Sequence, residues 1–117
     1  MAKDLFVVAG LAGLLCGGHG VPAPAHAEEP PTIEVTIKDH RFAPAEIHVP
    51  RGKPVILRIT NADDTVEEFD SVSLQVEKVI VGGHYATVRL HPLGPGRYPF
   101  LGEYHSATAQ GVVVSDP

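Results

Sequence analysis

Sulfur is nearly absent from this chain. Of its 117 residues one is cysteine, Cys16, one is methionine, Met1, and none is tryptophan. Everything beyond residue 16 therefore lacks both thiol and thioether, which excludes disulfides, cysteine nucleophiles, zinc–cysteine clusters and iron–sulfur sites there. Long hydrophobic runs are missing as well. The longest extends from Leu5 to Cys16, well short of the roughly 20 residues that span a bilayer. There is no basic cluster, and the formal charge of −5 argues against a nucleic-acid partner. Gly-x-Ser-x-Gly, His-Glu-x-x-His and phosphate-cradling glycine loops do not occur, which removes the commonest hydrolytic and nucleotide-binding chemistries.

What stands at the start is an export pattern. Lys3 precedes the apolar run, a Gly- and Pro-containing stretch follows, and Ala25-His26-Ala27 puts small residues one and three places before a break. Signal peptidase requires that spacing. The expectation is a cleavable signal over residues 1–27, a mature domain over residues 28–117, and a periplasmic destination. Cys16 would leave with the signal. A lipoprotein use of it is disfavoured because Leu14 and Leu15 occupy places that need small residues. One small domain is expected from the length, held by a packed core alone.

After a short polar leader the chain alternates with period two. Ile33, Val35 and Ile37 share one face; Ile47 and Val49 form a second short strand, and Val55, Leu57 and Ile59 a third. Leu74, Val76, Val79 and Val81 are expected in the next segment, then Ala86, Val88 and Leu90, then Tyr98 and Phe100, and last Val112 and Val114, with Val113 facing the other side. Pro50-Arg51-Gly52-Lys53, Gly82-Gly83 and Leu93-Gly94-Pro95-Gly96 punctuate them as turns. No helical period is sustained. The pattern predicts an all-β protein, a β-sandwich or small barrel of about seven to eight strands. Pro99, which cannot donate to a ladder, predicts an edge position or a bulge.

Several segments, in order, resemble a cupredoxin. Phe42-Ala43-Pro44, Ile47-His48-Val49-Pro50-Arg51-Gly52 and Val55 to Asn61 resemble its opening strands. Leu93 to Phe100, then Gly102-Glu103-Tyr104-His105 and Gly111 to Val114, resemble the strand and loop that carry its copper ligands. The resemblance covers residues 32 to 115 and implies a Greek-key β-sandwich. Blue-copper members place Cys, His and usually Met in the final loop and a second His after the Asn. Here the Cys position holds Gly102, the His is kept as His105, the Met position falls on Ala109 or Gln110, and the upstream His is replaced by Glu67 or Glu68.

With no thiolate, blue-copper electron transfer has no ligand to run on. The resemblance leaves Glu67, Glu68, Glu103 and His105 as metal-ligand candidates, with Asp70, Gln110 and His40 behind them. Carboxylate and imidazole suit Cu(II), iron or zinc better than Cu(I). If Phe69 faces the core, Glu67 shares its face and points inward while Glu68 and Asp70 point out; Glu103 and His105 likewise share a parity. Fraying at a strand end keeps the choice between Glu67 and Glu68 open. His48, His84 and His91 read as exposed.

Asn61-Ala62-Asp63, Glu67-Glu68-Phe69-Asp70 and Gly102-Glu103-Tyr104-His105 are similar to the cysteine-free cupredoxin-like proteins associated with bacterial iron permeases and ferrous iron uptake. That resemblance implies a periplasmic protein binding copper or iron. Its partners would be an inner-membrane iron permease or another periplasmic iron-binding protein. It would hand iron over, or assist oxidation of Fe(II), without being an enzyme in its own right. Two other readings remain: a Cu(II) carrier or buffer, and a metal-free scaffold acting as an interaction module.

Overall fold

Alternating aliphatic and polar residues form strands here because one side of each faces a shared core. The computed structural model describes residues 29–117, so the expected signal, its cleavage point and Cys16 lie outside the described residues. The strands are β1 Thr32–Lys38, β2 Arg41–Ala43, β3 Glu46–Val49, β4 Val55–Asn61 and β5 Glu67–Ser71. They continue with β6 Val76–Ile80, β7 Tyr85–Leu90, β8 Gly96–Gly102 and β9 Gln110–Ser115, with a single 3-10 turn at Glu103–His105.

These nine strands make two mixed sheets, ordered β2-β1-β4-β7 and β3-β9-β8-β5-β6. β1 runs parallel to β4 and β3 parallel to β9; the other pairings are antiparallel. Val35, Ile37, Leu57, Ile59 and Val88 of the first sheet pack against Ile47, Phe69, Ile80, Phe100 and Val113 of the second. Phe42, Phe69 and Phe100 meet with ring centroids 4.7 to 5.9 Å apart. The expected sandwich is the observed architecture. The ninth strand is the three-residue β2, too short to show a period.

Three local expectations need correction. Pro99 is not on an edge: β8 lies inside the five-stranded sheet, paired with β9 at Val112. Proline is tolerated because the ladder to β5 stops at Leu101, and beyond it the Ser71 hydroxyl donates to the Pro99 carbonyl at 2.7 Å. In β6 the core residue is Ile80, while Val79 and Val81 are exposed. The tight turn after Ser71, with Gln75 at φ 57°, sets that phase. Lys78 occupies an inward register position opposite Phe69 yet stays exposed, a charge that blunts this open edge against further pairing. In β9 the fully buried valine is Val113, with Val112 and Val114 half-buried outside.

Candidate metal centre

At one end of the sandwich, β5, the 3-10 turn and the β1–β2 turn converge. Glu67 opens β5 on the same face as Phe69, and its side chain is 1% exposed. A carboxylate so buried needs hydrogen-bond partners on both oxygens. Oε1 accepts the backbone N–H of Glu68 at 3.0 Å and of Tyr104 at 2.9 Å. Oε2 accepts the Nδ1–H of His105 at 2.6 Å. With Nδ1 donating, a neutral His105 keeps its lone pair on Nε2, and the ring retains some exposure to solvent.

Gly102 is what makes room for this carboxylate. A β-carbon there would lie 2.6 Å from Glu67 Cδ and 2.8 Å from its Oε2, and 2.7 Å from the β-carbon of Ala109. Glu67 thus fills the volume that any side chain at position 102 would need. Asn61, also fully buried, fixes the approach to β5. Its amide donates to Thr65 O at 2.8 Å and Ile80 O at 3.0 Å, and its Oδ1 accepts the Asp63 N–H at 3.1 Å.

His40 comes from the two-residue turn between β1 and β2, and its ring stacks on His105 with centroids 3.6 Å apart and planes 13° from parallel. Asp63 reaches across to this turn. Its Oδ1 accepts the Asp39 N–H at 2.8 Å and its Oδ2 the His40 N–H at 2.9 Å. Those donors, His40 first, hold the Asp63 carboxyl below the usual aspartate range. The Thr108 hydroxyl donates to the His40 carbonyl at 2.7 Å.

The sequence candidates therefore divide into two neighbouring groups. Glu67, His105 and His40 gather inside the end of the sandwich. Glu68, Asp70 and Glu103 gather on its outer surface, with one donor atom from each lying within 4.8 Å of the others. Partial burial, then the neighbouring Glu77, Asp70 and Glu103, holds the Glu68 carboxyl above the usual range. The parity argument holds along β5 and fails past Gly102. There the chain leaves the strand for a 3-10 turn, which sends Glu103 outward and His105 inward. Gln110 is exposed and donates its side-chain amide to Ser106 O at 2.8 Å. His48, His84 and His91 are exposed as expected.

Sequence reasoning missed Asp63 and Thr108. Nothing in the linear pattern ties residue 63 or 108 to the turn at 39–40, which only the fold brings to them. Two consecutive polar residues between alternating strands, Asp39 and His40, were the available signal for a tight hairpin.

The inner donors fit a metal ion by chemistry. Glu67 Oε2 and His105 Nδ1 are joined by a 2.6 Å hydrogen bond; a first-row ion with bonds of about 2.0–2.2 Å would take the place of the shared proton and spread the two donors to about 2.8–3.6 Å. The set is oxygen and nitrogen, and residues 29–117 contain no sulfur. That composition favours Cu(II), iron or zinc over Cu(I).

The model of the cupredoxin-like domain family matches residues 8–115. An uncharacterized protein of Rickettsia prowazekii (strain Madrid E) is 43% identical over 82 residues, a match spanning 70% of this chain and 66% of that protein. The chain thus covers just under two thirds of that relative's length. Among solved structures, one similar chain is the metal-binding domain of the Streptococcus pneumoniae D39 Cu(I)-exporting P-type ATPase CopA with Cu(I). It has TM-score 0.64 at 17% identity, over 80% of this chain and 93% of that one. Auracyanin A, a "blue" copper protein from Chloroflexus aurantiacus, gives 0.62 at 16% identity, over 74% and 99%. Identities this low establish a shared fold. With the family match over nearly the whole chain, and the two sheets in the sandwich arrangement the sequence implied, this chain belongs to the cupredoxin-like domain family.

Proposed function

We propose that this chain is an exported, periplasmic metal-binding protein that holds Cu(II) or iron without a thiolate and serves iron uptake by passing its ion to an inner-membrane permease. The observation that carries the reading is the buried Glu67 carboxylate bonded to His105 at 2.6 Å beside Gly102. Glycine in the place of a sulfur ligand, with a carboxylate filling its space, turns a soft site into a hard one. That copper-binding proteins share this fold supports a metal in this one. The iron role rests on the donor chemistry, since carboxylate and imidazole also ligate iron, although Cu(II) is the tighter-binding divalent ion at such a site. Its action is carriage rather than blue-copper electron transfer, which needs a copper–thiolate bond.

Calorimetric titration of the purified protein with Cu(II), Fe(III) citrate and Zn(II), repeated on His105→Ala, tests this. The expected result is one-to-one binding that collapses in the variant and gives no intense blue absorption. The order of affinities decides between an iron carrier and a Cu(II) buffer. A second reading has its own observation: Glu67 and His105 already satisfy one another, as they would in a metal-free interaction module. Absence of binding by the wild type selects that reading.

A further inference from the structure

The turn between β1 and β2 is built at a cost that its fold does not require. Lys38 pairs with Arg41, so Asp39 and His40 form a two-residue hairpin turn. Both have positive φ, 52° and 58°. Such turns normally carry Asn-Gly or Asp-Gly, because a β-carbon is strained in this conformation. The aspartate conforms to that preference; the histidine takes the place where glycine is the ordinary choice.

Three groups hold it there. Asp63 accepts both turn N–H groups, one on each carboxylate oxygen, and Thr108 donates to the His40 carbonyl. Asp63 is in turn tied to the buried Asn61. The backbone of His40 is therefore clamped, while its side chain stacks on His105 and makes a 3.3 Å contact from Nε2 to Thr65 Oγ1. A strained residue, over-determined by its neighbours and aimed at a candidate site, marks a position kept for its side chain.

We propose that His40 is a functional member of the metal site, the second imidazole donor to the ion, and that Asp63 and Thr108 are positioning residues acting through it. The proposal rests on the reading of Glu67 and His105 as the centre of that site. In the stacked arrangement the two rings are nearly parallel, so their in-plane lone pairs run side by side and do not meet at one point. Rotation of the His40 side chain out of the stack, with its backbone still clamped, would free a ring nitrogen for an ion held by His105. Two imidazoles and a carboxylate are then supplied from three separated segments of chain.

The test is electron paramagnetic resonance of the full protein loaded with Cu(II), with affinity measured alongside. The variants are His40→Gly, Asp63→Ala, Asp63→Asn and His105→Ala. His40→Gly suits the backbone of the turn, so the variant folds and loses only the ring. Wild type is expected to show coupling to two imidazole nitrogens. His40→Gly is expected to show one, with affinity lower by at least tenfold. Asp63→Ala, with His40 intact, is expected to weaken binding several-fold, and Asp63→Asn, which keeps one acceptor, to recover part of the loss.

A His40→Gly protein with the wild-type spectrum and affinity overturns the donor role while leaving the site reading in place, provided His105→Ala abolishes binding. Wild-type behaviour in Asp63→Ala overturns the positioning role. Binding that survives His105→Ala unchanged, or no Cu(II) binding by the wild type, removes the site reading and this proposal with it.

Discussion

Adding one methyl group at Gly102 should be among the most damaging small changes this protein can suffer. The new β-carbon would sit 2.6 Å from Glu67 Cδ and 2.7 Å from Ala109 Cβ, where relaxed carbon contacts lie at about 3.5–4.0 Å. Neither neighbour yields easily. Ala109 is fully buried and its carbonyl accepts the Gly102 N–H at 2.8 Å. Glu67 can withdraw only by releasing the Tyr104 N–H and His105. Overpacking of this kind costs about 1–3 kcal/mol, and stranding buried donors adds about 1–3 kcal/mol. A loss near 3 kcal/mol lowers the thermal midpoint of a domain this size by about 12–24 °C. The decisive assay is a double-mutant cycle by chemical denaturation with Gly102→Ala, Glu67→Ala and both together. Because the carboxylate and the new methyl compete for one volume, Glu67→Ala should cost at least about 1 kcal/mol less in the Gly102→Ala background. A midpoint within about 3 °C of wild type for Gly102→Ala, or effects that simply add, would refute the shared-volume argument.

Two further outcomes follow from groups away from that contact. Asn61→Ala removes one amide that serves two carbonyls and one N–H in a fully buried place, so urea unfolding should report a loss of about 2–4 kcal/mol. On the outer face, Glu46, then Asp116, hold the His48 imidazole above the ordinary histidine range by hydrogen bonding. A raised pKa in the folded state means His48 contributes stability below its unfolded value, near 6.5, and loses it as pH rises through the folded value. The thermal midpoint should therefore decline slightly from about pH 6.5 upward, and His48→Gln should flatten that slope. The effect is small because the pair is open to water and salt.

Much of the fold was written in period-two alternation, because a sandwich buries one face of each strand and the residues between turns declare which. β1, β4 and β7 could be read off directly. The reading lost phase where local geometry departs from the simple pleat. The positive φ at Gln75 re-sets β6 so that Ile80 enters the core, and an edge lysine at position 78 hides the inward register. β8 carries a proline at an interior position because its ladder to β5 is short, and no residue of β8 itself announces that.

The candidate site divides along the same line. Glu67 was legible in part because β5 is a regular strand: parity with Phe69 pointed its carboxylate inward, while the choice between Glu67 and Glu68 as ligand stayed open. The next residues with chemistry, Glu103 and His105, lie in a 3-10 turn, where alternate residues no longer share a face; the same rule that placed Glu67 therefore misplaced Glu103. Asp63, Thr108 and the tight turn at Asp39 lie further still from sequence reasoning, which reached His40 only as a weaker candidate. They are separated by more than 20 and more than 60 residues, and each donor or acceptor is ordinary in its own segment. What singles them out is convergence on one backbone. Asp63 caps the strained turn, Thr108 ties it to the loop that carries His105, and Asn61 secures Asp63. The loop that follows β8 and the turn that follows β1 are thus coupled through polar groups rather than through the apolar core. A substitution at Asp63 should therefore be felt at His105 before it is felt in the stability of the sandwich.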